Sequence, residues 1–402
     1  MKNHWNTSCK FFSLHLGALG IAGILLALAG CHSSGVFTPE KLFRTLNSDE
    51  SGVRFANMLH ETPDLNIIKY LYYYNGGGVA VGDVNQDGKP DLFFTANQGA
   101  NQLYLNEGNL HFKEATAAAG IVSNGGWSTG VTMADVNGDG ALDIYVCQVG
   151  NYLSLKGHNL LYINDSKGHF SEESAAYGLD FRGFSTQAAF FDYDRDGDLD
   201  VYLLNHSVHA PENYGDASIR EKRDSLSGDR LYRNDGAHFT DVSTHAGIFG
   251  SRIGYGLGVA VGDINNDAWP DVYISNDFHE NDYVYFNQGN GKFRENIRGT
   301  LGHSSSFSMG NDIGDYNNDG WLDLITLDMK PDDETVLKSS AGADPYNIYQ
   351  FKVNFGYYHQ YPRNMLQLNQ GNLQGTTAQF SEIGQFLTEK LKAKGTYGAS
   401  QF

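Results

Sequence analysis

Five stretches of the chain repeat one nine-residue arrangement of oxygen-bearing side chains. They hold Asp83, Asn85, Asp87 and Asp91; Asp135, Asn137, Asp139 and Asp143; Asp192, Asp194, Asp196 and Asp200; Asp263, Asn265, Asp267 and Asp271; and Asp315, Asn317, Asp319 and Asp323. The oxygens fall at positions 1, 3, 5 and 9, and position 6 is glycine in every copy except the fourth, where it is Ala268. A hard cation such as calcium takes about six to eight oxygens at about 2.3–2.6 Å, and positions 1, 3 and 5 of a tightly curled loop converge on one point. Glycine at position 6 permits the turn, the position-7 carbonyl can add a ligand, and the position-9 aspartate closes the shell. Hairpin turns also favour Asp, Asn and Gly. They do not require carboxylates or amides at four fixed positions in every copy, and so much unneutralised negative charge would be repulsive. Up to five Ca2+ sites are therefore expected, the fourth weakened because Ala268 lacks glycine's ease at positive φ.

An EF-hand begins in the same way but ends on Glu at position 12, where this chain has Phe94, Val146, Leu203, Ile274 and Thr326. The flanks Gly78–Gly82 and Leu92–Thr95 are strand-like, which gives strand-loop-strand and not helix-loop-helix. Beyond each loop an apolar strand is followed by one ending in asparagine, at Asn106, Asn164, Asn234, Asn287 and Asn369. A glycine turn then leads to a strand carrying Phe and an acid two residues on: Phe112 and Glu114, Phe170 and Glu172, Phe239 and Asp241, Phe293 and Glu295, Phe380 and Glu382. Trp127, Phe184, Tyr255 and Phe307 each stand eight residues before the next loop and open a new unit. Four-stranded units recurring every 52 to 71 residues are the pattern of propeller blades. The fold expected is all-β, a β-propeller of four-stranded blades with calcium loops and five recognisable repeats.

The composition agrees. With 24 Tyr, 24 Phe and 48 Gly against 8 Pro, the chain suits short aromatic strands joined by tight turns. A formal charge of −19 argues against nucleic acid and against an electrostatic hold on anionic lipid. Sixteen aspartates sit at the loop positions, so five divalent ions would neutralise about half of that charge.

The N-terminus has the layout of a secretory signal: Lys2 and Lys10, then Leu16 to Ala29 built only of Leu, Ile, Ala and Gly. It runs into Leu28-Ala29-Gly30-Cys31, which resembles the lipobox of bacterial lipoproteins, where cleavage precedes the cysteine and lipid joins its sulfur. The organisation expected is a signal peptide over 1–30, a lipidated N-terminus with an orphan blade strand over 31–53, propeller repeats over 54–385 and a non-repeat tail, or the start of a truncated blade, over 386–402. That places the protein in the cell envelope, held to a bacterial outer membrane through Cys31. Cys147, in an apolar run, reads as a small buried hydrophobe.

The loops with their flanking strands resemble the FG-GAP or VCBS repeats shared by integrin α-chain propellers and many bacterial surface proteins. The stretch Leu71 to Asp83 further resembles VCBS lipoproteins that carry an ASPIC/UnbV module downstream, a group similar to cartilage acidic protein. The resemblance implies a binding, adhesion or scaffold module for a glycan or a protein. The fold also hosts some polysaccharide-degrading enzymes, and that is the alternative reading. No catalytic constellation is recognised: His206, His209, His279 and His303 lie in non-repeating stretches. The insertions at 207–228 and 329–362, the latter holding Tyr346, Tyr349, Tyr357, Tyr358 and Tyr361, are the expected ligand-contacting surfaces, although these tyrosines suit packing on a neighbouring blade equally well. Phe43 to Val53 resembles the end of a unit, and the repeat rhythm calls for a sixth loop near 402–404, so an incomplete propeller is expected.

Overall fold

The computed structural model describes residues 43–208, 215–236, 238–331, 333, 335–336, 344–371 and 378–386. The expected signal segment and Cys31 lie outside the described residues, as does His209. Among the described residues no helix is long and apolar enough to cross a membrane. The chain divides between Asn47 and Ser48, and all the sheets belong to the second unit.

Five antiparallel sheets of four strands follow one another along the chain. The first is β1 (Val79–Gly82), β2 (Asp91–Phe94), β3 (Gln102–Gly108) and β4 (His111–Glu114). The second is β5 (Trp127–Ala134), β6 (Asp143–Val149), β7 (Leu160–Asn164) and β8 (Phe170–Glu172). The third is β9 (Ser185–Phe191), β10 (Asp200–Asn205), β11 (Arg230–Asn234) and β12 (Phe239–Asp241). The fourth is β13 (Gly256–Gly262), β14 (Asp271–Asn276), β15 (Tyr283–Asn287) and β16 (Phe293–Glu295). A short parallel pair, β17 (Ser304–Ser305) and β20 (Gln360–Tyr361), accompanies the fifth sheet, β18 (Ser308–Gly314), β19 (Asp323–Asp328), β21 (Met365–Asn369) and β22 (Phe380–Glu382). Each sheet is a simple meander in which every strand pairs with the next, as the repeat of loop, asparagine and phenylalanine predicts.

The sheets stack face to face, which explains the unbroken apolar runs of the second strands, such as residues 144–147 and 201–204. All residues of β6, β10 and β14 are buried. Phe93 and Leu103 of the first sheet pack with Val131, Ile144, Val146 and Tyr162 of the second. Tyr145 and Leu161 then meet Val201, Leu203 and Tyr232 of the third, and Tyr202 and Leu231 meet Val272, Ile274, Tyr283 and Tyr285 of the fourth. The first strands β1, β5, β9, β13 and β18 lie side by side in chain order. Thr129 Oγ1 donates to the Ser185 carbonyl at 2.8 Å and Thr186 Oγ1 to that of Gly256 at 2.9 Å, joining neighbouring sheets at that level. Sheets stacked this way, first strands inward, are the blades of a β-propeller.

Blade ends repeat as closely as blade middles. A helical turn follows the fourth strand at Ser174–Tyr177 and Ser243–Ala246, and the glycine after it takes positive φ, 75° at Gly178 and 79° at Gly247. A Cβ on either would stand 3.0 Å from a carbonyl oxygen of the next blade, Phe239 or Phe293. Ser48–Ser51 and Gly52 reproduce this arrangement against Phe112, where the corresponding distance is 2.2 Å. Residues 48–52 thus occupy the place of a blade end beside the first sheet, while residues 43–47 have no regular structure.

Between that turn and β1, the segment Tyr70–Tyr73 reaches across several blades. Tyr70 packs on Trp127 and its hydroxyl lies 3.1 Å from His206 Nε2; the Tyr72 hydroxyl donates to Asp277 Oδ2 at 3.3 Å. Three blades are linked by this one stretch.

The far end of each second strand is closed by an Asn or Asp five residues before the strand-terminal asparagine: Asn101, Asn159, Asp229, Asp282 and Asn364. Each Oδ1 accepts the N–H that follows or ends that strand, on Ala96, Gln148, Asn205, Asn276 or Asp328, at 2.7–3.0 Å. Where the residue is Asp, burial pushes its carboxyl up to about 7, at both Asp229 and Asp282. A folded-state pKa above the unfolded value of about 3.9 means a contribution fully present below that value and lost as pH rises towards 7. Asp229→Asn keeps the acceptor, and its amide can donate to Tyr202 as Asn159 Nδ2 does to Tyr145 at 2.9 Å. The variant is expected to raise the melting temperature at pH 8 by several degrees, with the gain shrinking steadily towards pH 4.5. A gain independent of pH would contradict the ionisation argument.

Candidate metal centre

Each loop is folded by its own candidate ligands. The position-1 carboxylate accepts the position-5 N–H on Oδ1 at 3.0–3.1 Å and the position-6 N–H on Oδ2 at 2.7–3.1 Å in all five copies. The position-5 Oδ1 accepts the position-7 N–H at 2.8–3.0 Å. These bonds curl the chain tightly over positions 1 to 7. Position 6 is left-handed throughout, and so is position 4, at Gln86, Gly138, Arg195, Asn266 and Asn318, with φ between 56° and 72°. The sequence reading missed position 4, although Gly and Asn there in three of the five copies were a usable signal.

Position 9 is built differently. Asp91, Asp143, Asp200, Asp271 and Asp323 are all 0% exposed. Each Oδ2 accepts the position-2 N–H of its own loop, on Val84, Val136, Tyr193, Ile264 or Tyr316, at 3.0 Å. Each Oδ1 accepts the backbone N–H of the strand-terminal asparagine, at 2.8 Å for Asn106, Asn164 and Asn234 and 2.9 Å for Asn287 and Asn369. Those asparagines also join the blades: Nδ2 of Asn164, Asn234, Asn287 and Asn369 donates to the position-2 carbonyl of the preceding loop, at 2.8, 3.3, 2.7 and 2.8 Å. Asparagine was legible in the sequence as a repeat marker, but its reach into the neighbouring blade was not.

Burial pushes the position-9 carboxyls up, to about 6 for Asp143 and about 7 for Asp200 and Asp271, and the carboxylates at positions 1 and 5 or 3 and 5 push the same way. The two N–H donors oppose this. A divalent cation set among these groups would reverse the balance and hold every carboxyl ionised.

The loops are not equivalent. In the third, ligand atoms of Asp192, Asp194 and Asp200 lie within 4.8 Å of one another, the single such group among the described residues. Asp194 Oδ1 is buried there without a hydrogen-bond partner, which suits an all-oxygen shell for a hard cation. In the first loop Lys89 Nζ sits 2.9 Å from Asp87 Oδ2 and holds that carboxyl below the usual range, so an ion entering must displace the ammonium. In the fourth, Ala268 takes φ 70° and donates its N–H to Asp263 Oδ2 at 2.8 Å just as glycine does elsewhere. The loop keeps its shape despite the alanine. Adjacent loops also touch: Gln86 Nε2 donates to the Gly140 carbonyl at 3.1 Å, Asn266 Nδ2 to that of Gly320 at 3.2 Å, and Arg195 lies over Trp269.

The histidines do not form one site. His206 is buried against Tyr70 and Tyr72, His279 stacks on Phe278, and His303 bonds Arg363 at 3.0 Å. Of the insertion tyrosines, Tyr357 is buried with Ala217 and Ile253, and Tyr358 packs on the core between the fourth and fifth blades. Tyr346 is 76% exposed and Tyr361 is 42% exposed, so the second insertion packs with one part of its aromatic set and displays another.

Blades of four strands with an aspartate loop between the first and second define a class of repeat propeller. The FG-GAP-like repeat family matches residues 70–146, 150–203 and 263–326, which include all five loops, so the chain carries FG-GAP-like repeats. Among curated relatives it is similar to cartilage acidic protein 1 of Mus musculus, 28% identical over 214 residues, and of Homo sapiens, 27% identical over 214 residues. Those alignments take in 50% of this chain but only 29% and 28% of the relatives, so the chain matches less than a third of their length. Among solved structures it is similar to an Agrocybe aegerita lectin that recognises non-reducing terminal N-acetylglucosamine. That likeness has TM-score 0.39 and 16% identity and covers 75% of this chain and 64% of the lectin. The V. cholerae biofilm matrix protein Bap1 is similar with TM-score 0.32 and 14% identity, over 63% of this chain and 35% of Bap1.

A left-handed residue with a Cβ carries a cost that glycine avoids. Ala268→Gly is expected to stabilise the fourth blade by about 1 kcal/mol, read as a higher urea midpoint in the presence of calcium. An unchanged midpoint would mean that the loop accommodates the Cβ without strain.

Proposed function

We propose that this chain is a calcium-stabilised binding or scaffold module, displayed on the cell envelope by a lipid on Cys31, whose ligand is a glycan or a protein. The observation that carries the calcium reading is the third loop, where three carboxylates converge and one buried carboxylate oxygen lacks a partner. The other four loops share its hydrogen-bond plan. Metal bound there would act as a strut and not as a catalyst, since every loop closes the same structural junction and the loops differ little from blade to blade. Ligand recognition then falls to what does not repeat: the two insertions and the surface that the first strands enclose.

Binding to the folded state alone stabilises it by linkage. Extracellular-type sites bind at about 10⁻⁴–10⁻³ M, so the effect should appear at millimolar calcium. The melting temperature is expected to rise by several degrees between excess chelator and millimolar calcium. Equal melting temperatures in the two conditions would rule out the strut role. For the anchor, Cys31→Ser is expected to abolish incorporation of labelled fatty acid and to move the protein from the membrane fraction to the soluble one; continued labelling would contradict the lipobox reading.

A further inference from the structure

The first strands of the second to fifth blades and the glycines at 76–78 just before β1 line one cavity of about 380 Å³, a size that suits a small-molecule site. Each blade contributes the residue six places before its first loop aspartate: Gly77, Thr129, Thr186, Leu257 and Met309. The repeat is regular at its loops and irregular at this ring. Two neighbouring blades supply hydroxyls, the next two supply apolar side chains, and the first supplies only backbone. Both threonine hydroxyls already donate to carbonyls, so towards the cavity they have lone pairs to offer.

The rest of the lining is also uncharged. It includes Gln187, the exposed Tyr74 and Asn75, and the buried His206, 1% exposed. Burial holds His206 neutral, its pKa lowered to about 3, with its Nε2 3.1 Å from the Tyr70 hydroxyl. Among the described residues no Asp, Glu, Lys or Arg lines the cavity, in a chain of net charge −19.

We infer that this axial cavity is a binding site for a neutral pyranose ring, free or as the terminal residue of a glycan. A pyranose has an apolar C–H face and a rim of hydroxyls that both donate and accept. The apolar side formed by Leu257 and Met309 matches the first, and Thr129, Thr186, Gln187 and His206 match the second. Tyr74, 60% exposed, adds an aromatic side chain to the lining, its hydroxyl donating to Glu61 Oε1 at 2.9 Å. A carboxylate sugar would enter with no cation to meet it, so uronic acids are disfavoured.

The inference rests on the reading of the chain as a binding module, and the test separates the two. The full chain in millimolar calcium is titrated with a panel of neutral methyl pyranosides, the matching uronic acids and short neutral oligosaccharides. Heat and tyrosine or tryptophan fluorescence are followed. Met309→Trp, which narrows the cavity, and Gln187→Ala, which removes a polar lining group, are compared after their melting temperatures are found unchanged. Expected is saturable binding of at least one neutral pyranoside, weakened about tenfold or more by each variant and absent for its uronic acid. Binding of the oligosaccharide alone would assign the site to a glycan end, and equal binding of the monosaccharide to the free sugar. A sugar that binds wild type and both variants alike would overturn the cavity site and leave the binding-module reading standing. No binding by any neutral sugar would overturn the cavity site as a pyranose pocket, its contents then being water only, while the calcium melt tests the module independently.

Discussion

Five carboxylates buried beyond the reach of solvent set the terms for the rest of this molecule. A buried carboxylate is tolerated only when its oxygens are satisfied. Asp91, Asp143, Asp200, Asp271 and Asp323 each meet that demand with two backbone N–H groups from different places, one in their own loop and one at the end of the third strand. That requirement fixes the register of second strand against third, the closure of the loop, and through the same asparagine the contact with the preceding blade. The apolar cores between blades supply most of the driving force, but apolar faces alone would tolerate sliding. The polar junction at the loop end does not.

The two ends of a blade solve one problem in two chemistries. At the loop end the acceptors are always carboxylates, and in the third loop they converge with others on a point that suits a cation. At the other end the acceptor is Asn in three blades and Asp in two. The difference separates function from folding: an amide is sufficient to close a strand, so the insistence on carboxylate at the loops reports something beyond backbone satisfaction.

Much of this was legible in the sequence because the repeat is short-range. Loop positions, four strands per blade and the boundaries at Trp127, Phe184, Tyr255 and Phe307 all follow from periodicity within a few dozen residues. The partners of position 9 were not legible, since Asp200 and Asn234 are joined across an insertion that hides their spacing. Neither was the role of Tyr70 and Tyr72, whose partners His206 and Asp277 are more than a hundred residues away. The insertion tyrosines resisted reading for a different reason: Tyr357 and Tyr361 have similar sequence surroundings, and only the fold decides that one is buried and the other exposed.

The bridges made by the asparagines of the third strands all point the same way. Asn164, Asn234, Asn287 and Asn369 each reach back to a loop made earlier in the chain. A polypeptide leaves the ribosome from its N-terminus, so each blade, as its third strand emerges, finds the acceptor it needs already in place on the blade before it. The order of synthesis and the direction of these loop-end bridges coincide, so at that end each blade can dock as it is made, whereas at the far end Asn97 Nδ2 waits for the Ser128 carbonyl and Asn159 Nδ2 for the Ser185 hydroxyl of the blade that follows.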